Sequence, residues 1–154
     1  MSSNLVAILH SLPIGAGART LARVDVARRV LGLDTYSVAN LYPAPLASSG
    51  RVADDAAVWS AGRRDVEREL ARTDSTDVLL GYGVSLPSGP SRALHRSQVR
   101  WLEAHISTSG LRVWTFGGRP NHPSRWQRVV YKHRPGATVE EVAPELLEPK
   151  PVLI

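Results

Sequence analysis

The chain contains no cysteine. That single absence removes disulfides, thiolate zinc sites and cysteine nucleophiles together. Apolar runs stay below ten residues, far short of the roughly 20 needed to cross a bilayer. The first residues, Met1-Ser2-Ser3-Asn4, carry neither a basic n-region nor a cleavable apolar stretch, so a cytoplasmic location is expected. Lysine is scarce as well: only Lys132 and Lys150 occur, and neither follows the glycine-rich loop of an NTPase. A Gly-x-Ser-x-Gly nucleophile elbow is missing. No histidine is paired at i, i+4 with a carboxylate, since His95 and His105 are ten apart and His122 and His133 eleven. Neither a metal nor a cofactor is therefore expected.

What is present fits one ordinary domain. The 154 residues are 43% hydrophobic and 21% charged, enough to bury a core and too apolar for disorder. The formal net charge is +5, and 17 of the 19 basic residues are arginine. Between Arg92 and Lys132 lie eight basic residues and one acid, Glu103. Beyond Arg134 the sign reverses, with Glu140, Glu141, Glu145 and Glu148 against Lys150. A basic segment before an acidic tail suits a polyanion-binding face. A field of this size also serves solubility alone, so charge leaves both readings open.

Four short apolar runs predict strands: Leu5 to Leu9, Tyr36 to Ala39, Val78 to Leu80 and Leu111 to Phe116. The first three lack clean alternation, as strands buried on both faces do. Helical stripes separate them. Leu21, Val24, Arg28 and Leu31 form one, stopped by Gly32; Val58, Gly62, Val66 and Leu70 form a second after Asp54-Asp55. Leu94, Trp101, Leu102 and Ile106 make a third, ended by Gly110. Such alternation predicts a three-layer α/β/α domain around a mostly parallel, four-stranded sheet. Residues 126–133 fit a final strand or a helical turn. Residues 1–134 are read as the α/β body, and 135–154 as an acidic, proline-rich tail packed on it, with a short helix over 138–147.

In open α/β sheets ligands bind beyond the carboxyl ends of the strands. Here the first strand ends in His10-Ser11-Leu12-Pro13-Ile14-Gly15-Ala16-Gly17 and the second in Asn40-Leu41-Tyr42-Pro43. The third ends in Gly81-Tyr82-Gly83, and the fourth in Gly117-Gly118-Arg119-Pro120-Asn121-His122-Pro123-Ser124. Converging tips predict a pocket with His10, Ser11, Asn40, Tyr82, Asn121, His122 and Ser124 near its rim. Gly15-x-Gly17 lacks the third glycine of a dinucleotide turn, and Asp34 has the wrong context for a ribose contact. His122 stands out, because an imidazole between prolines in a glycine-rich turn has little packing reason to be there.

The four tips, taken in order, resemble the uracil-DNA glycosylase superfamily. Leu12-Pro13 falls on its water-activating loop, and Asn40 on the asparagine that reads a pyrimidine edge. Leu79-Leu80-Gly81-Tyr82-Gly83 matches its third turn, and His122-Pro123-Ser124 its His-Pro-Ser motif. The chain also resembles bacterial and phage proteins with Asn-Pro-Ser and Gly-x-Pro-x-His-Pro motifs, whose function is unknown. The likeness covers roughly residues 4 to 130. It implies a DNA glycosylase that flips a base into a pocket and cleaves its N-glycosidic bond. In that scheme Asn40 pairs with the flipped pyrimidine, and His122 donates to O2 as charge develops on the leaving base. Leu12, Pro13, Ile14, Tyr42 and Tyr82 would line the base pocket. Ser124, Arg119, Arg125 and Arg128 would hold DNA, with Trp126 as the wedge filling the vacated stack. Core packing is the competing reading for Trp126, and a solvated face for the arginines. The absence of cysteine excludes an iron–sulfur member of the superfamily.

Two departures shape the expectation. Leu12 stands where family members place Asp, Glu or Asn, and leucine cannot position water. Hydrolysis would then rest on His10, Ser11, a more distant acid such as Asp25, or leaving-group stabilisation. Ile14 stands where uracil-specific members place a tyrosine that blocks a C5 substituent. This suggests a pyrimidine with a bulky C5 modification, such as occurs in phage DNA, and hence defence against phage. The expected partner is double-stranded, modified DNA, met by a monomer. A non-catalytic DNA- or nucleotide-binding protein of the same fold is the alternative, and a hydrolase of free nucleosides a third reading.

Overall fold

The computed structural model describes residues 2–12, 17–45, 55–87 and 89–150. Five strands and five α-helices follow in the order β1 (Asn4–Leu12), α1 (Ala18–Val30), β2 (Thr35–Pro45), α2 (Ala56–Leu70), β3 (Ser75–Leu80), α3 (Ser91–Ser107), β4 (Arg112–Phe116), α4 (Trp126–His133), α5 (Val139–Leu146) and β5 (Leu147–Pro149). A 3-10 turn over Pro123–Arg125 runs directly into α4. The strands form one sheet in the order β2-β1-β3-β4-β5. The first four are parallel, and β5 adds to β4 antiparallel.

The expected sheet of four strands is thus corrected to five. The fifth was hidden because it has only three residues and ends at Pro149, too few to show a period. Residues 126–133 are helical, and their spacing explains why: Trp126 and Val130 fall on one buried face. Asp55 accepts a hydrogen bond from the Ala57 N–H at 2.9 Å and so caps α2. Thr138 does the same for α5 through Glu141 N–H at 3.2 Å.

Chain order and handedness place the helices. From β1 the chain steps outward to β2, and from β2 it doubles back past β1 to β3 and then β4. Right-handed crossovers in opposite directions must use opposite faces. Accordingly α1 lies on one face with α4 and α5, whose side chains join Leu5, Ala7, Leu9 and Phe116 in one core. Helices α2 and α3 lie on the other, with Val6, Ile8, Leu41 and Leu80. Odd residues of β1 therefore face α1, and even residues face α2 and α3. The reversal of strand order falls between β1 and β3, so the crevice expected of such sheets opens at their carboxyl ends.

Two glycines allow close approach there. A Cβ on Gly62 would strike the carbonyl oxygen of Leu41, so α2 lies directly on the end of β2. A Cβ on Gly81 would come 3.2 Å from Pro123 Cδ and 3.1 Å from Leu9 Cδ2, where the turn after β4 packs over β3. Among the described residues, no helix is long and apolar enough to cross a membrane.

Candidate functional site

A cleft of about 500 Å³ opens at the ends of β1 and β2 beside α1, lined by Leu9, Ser11, Leu12, Leu21, Val38, Asn40 and His122 among others. Its volume falls within the range of small-molecule sites. Four sequence-predicted residues thus meet in one place: Ser11, Leu12, Asn40 and His122. Leu12, 42% exposed, stands at the same cleft. Pro13 and Ile14 lie outside the described residues.

Asn40 is only 8% exposed, and its Oδ1 has no hydrogen-bond partner among the described residues. Buried amide oxygens are nearly always paired, so one left without a partner in a cleft wall can accept a hydrogen bond from a donor that reaches it. The backbone around it is fixed from behind. Gln98, buried on α3, donates through Nε2 to the carbonyls of Leu41 at 3.0 Å and Trp59 at 2.8 Å. Its Oε1 accepts from Arg63 Nε at 2.9 Å. A polar residue in a helix stripe gave no sign of this role in the sequence.

His122 enters from the other side, on the turn after β4. Its Nδ1 accepts from Ser124 N–H at 3.1 Å and lies 2.8 Å from Ser124 Oγ. With Nδ1 accepting from a backbone amide, the neutral ring carries its proton on Nε2. Burial, reinforced by Arg125, holds the imidazole below its ordinary pKa. At neutral pH His122 is therefore an uncharged donor.

The turn carrying it is braced at four points. Asn121 Nδ2 donates to Phe116 O at 2.7 Å, and Gly83 N–H to Pro120 O at 2.7 Å. Arg23 on α1 donates through Nη1 to Pro123 O at 2.6 Å. Trp126 Nε1 donates to Asn121 O at 3.0 Å. Trp126 is fully buried, stacked on Phe116 at 4.1 Å between ring centroids. That corrects its expected role as a wedge: the indole is spent on packing beneath the turn. Ser124, Arg125 and Arg128 remain exposed along the same segment.

The other predicted residues point elsewhere. His10, an even residue of β1, faces α2 and α3, with its ring 5.4 Å from His95 and 5.8 Å from Trp59. Burial first, then His95 and His122, lowers its pKa to about 4. Tyr42 is buried edge-on to Trp59 at 5.0 Å, and Tyr82 is buried 6.3 Å from His95. None of these three lines the cleft beside Asn40. Asp25 is engaged by Arg28 at 2.7 Å and Arg29 at 3.2 Å on α1, so it is no water-orienting acid. Arg119 lines a separate groove beyond Tyr82. Among the described residues no group of three or more potential ligands is placed to hold a metal ion.

Comparison with protein-family models, with characterised proteins and with solved structures found no match.

Proposed function

We propose that the chain is a DNA glycosylase acting on a flipped-out, modified pyrimidine, with the modified DNA of phages as its source. The observation that carries this reading is the pairing of Asn40 and His122 across one cleft. A buried amide with an open oxygen can match the edge of a pyrimidine ring, accepting from the ring N–H and donating to its carbonyl. A neutral imidazole with its proton on Nε2 can donate to O2. The C1′–N1 bond then breaks with its electron pair leaving on the base, where the His122 hydrogen bond stabilises the developing charge. Water adds to C1′, its proton passes to solvent, and an abasic site remains. Ser124, Arg125 and Arg128 are exposed on the segment that follows His122 and are suited to phosphates.

The described lining of the cleft offers no carboxylate to take the water's proton. Catalysis in this scheme rests on the leaving group, with Ser11 able only to hydrogen-bond the water. That same feature favours the second reading, a protein that binds a base or nucleotide without cleaving it.

Incubation with modified phage DNA, plain duplex and uracil duplex, followed by alkaline cleavage at abasic sites, separates the two. The glycosylase reading expects product on modified DNA, lost in His122→Ala and Asn40→Ala while duplex binding persists. Cleavage of uracil DNA alone defeats the proposal of a modified base. Binding that falls steeply with salt, with no product on any substrate, supports the binder instead.

A further inference from the structure

A second groove, of about 340 Å³, opens past the end of β3. Its walls include Arg96 and Arg100 from α3, Arg119 from the turn after β4, and Tyr82 and Leu86 from the segment after β3, with His95 also lining it. It is distinct from the cleft that holds Asn40.

These arginines differ from the ion-paired ones elsewhere in the chain. Arg28, Arg68, Arg72 and Arg112 each hold a carboxylate within 3.1 Å. Arg96, Arg100 and Arg119 have no ion pair or hydrogen bond among the described residues, and no acid is among the groove's lining residues. Arg96 and Arg100 stand at i, i+4 on one helix face, a spacing at which like charges repel. The one acid on α3, Glu103, is drawn to Lys150 at 3.6 Å. Three guanidinium groups are thus gathered around one hollow with nothing to balance them.

His95 supplies an independent sign. It is only 3% exposed, and its Nδ1 lacks a hydrogen-bond partner among the described residues. A buried ring nitrogen without a partner, on a residue that lines a cationic groove, can hydrogen-bond a phosphate oxygen when it carries the ring proton. Guanidinium forks match the oxygens of a phosphate. Leu86, 50% exposed at the rim, offers apolar surface to whatever the phosphate is attached to.

We infer that this groove is a second binding site, taking a phosphate ester between Arg96, Arg100 and Arg119 with His95 beneath. The ester is the terminal phosphate of a small sugar phosphate or nucleotide, or a phosphodiester of a nucleic-acid strand. The inference does not depend on the glycosylase reading, because it concerns neither Asn40 nor His122.

The test measures binding of 2-deoxyribose 5-phosphate, 2-deoxyribose and a short single-stranded oligonucleotide at matched ionic strength. Three proteins are compared: the wild type, Arg96→Ala/Arg100→Ala, and Arg29→Ala/Arg64→Ala, which loses the same charge elsewhere. Loss of charged hydrogen bonds should weaken phosphate binding about tenfold or more in the groove variant only. A small-ester site shows this with the sugar phosphate and not with the unphosphorylated sugar. A strand site shows it with the oligonucleotide, while the sugar phosphate binds weakly to every protein. Equal binding by wild type and groove variant overturns the inference, as does equal weakening in the control. A second readout needs no variant: the bound probe should shield Arg96 and Arg100 of the wild type from an arginine-selective reagent, mapped by peptide mass. Failure of glycosylase activity leaves these outcomes unaffected.

Discussion

Gly62 of α2 lies against the carbonyl of Leu41, so closely that a Cβ would sit 2.6 Å from the carbonyl carbon. The residue before Leu41 is Asn40, whose carbonyl oxygen would be 3.0 Å from the same atom. A methyl group here can be relieved only by moving helix or strand. Gly62→Ala is expected to destabilise the fold by about 1–3 kcal/mol, the range for overpacking, although alanine favours helices. Urea denaturation measures the loss, and ligand binding at the cleft should fall with it because the strand end moves.

Asn40 itself should show the opposite balance. Replacing a buried, unpartnered amide by an apolar side chain of similar size removes a desolvation penalty of about 1–3 kcal/mol. Asn40→Leu is therefore expected to raise the urea midpoint while abolishing base recognition. A variant that is both less stable and less active would instead assign Asn40 to the scaffold.

Leu12 offers a test by gain. Its exposure makes substitution tolerable, within about 0.5 kcal/mol. A carboxylate at this position can accept the water's proton, and a positioned general base contributes roughly a hundredfold or more. Leu12→Asp is expected to raise abasic-site formation on a substrate the wild type already cleaves. An unchanged rate would mean that water attack at this rim does not limit turnover.

Trp126 and its neighbour Arg125 should separate stability from DNA contact. Trp126→Ala empties a fully buried position and is expected to cost about 3–5 kcal/mol. Arg125→Ala should leave the denaturation midpoint nearly unchanged and reduce the salt dependence of DNA binding by about one phosphate contact.

The histidines fix the direction of the pH response. The pKa of His10 falls from 6.5 to about 4 on folding, and those of His95 and His122 are lowered as well, all chiefly by burial. Between these values the unfolded chain binds protons that the native chain excludes, so stability rises with pH. The contribution is complete above about pH 6.5 and is lost progressively as pH falls toward 4. Equilibrium unfolding across this window should show that slope, and His10→Phe should flatten part of it.

Much of this architecture was legible because parallel strands buried on both faces leave short apolar runs between helical stripes. His122 could be singled out because an imidazole between prolines in a glycine-rich turn has little packing reason to be there, and Asn40 because it stands at a strand tip where the resemblance expects an asparagine. What stayed hidden has specific causes. In β1 both faces are apolar up to Leu9, so no alternation told which side His10 would take. Gln98 is polar, and its role depends on carbonyls brought near it only by folding. Trp126 and Val130 did carry a helical spacing, but it was shadowed by the alternative of a strand. Arg23 stabilises the His122 turn from 100 residues away, a contact no local pattern announces.

The tip of β1 sends Ser11 toward the Asn40 cleft and the adjacent His10 toward His95. One peptide unit is thus all that divides two chemically dissimilar compartments set back to back. Since successive side chains leave opposite faces of a strand, deleting or inserting a single residue near the end of β1 would exchange their contents, giving imidazole to one and hydroxyl to the other. Divergence at this point can therefore proceed by substitution far more readily than by change of length.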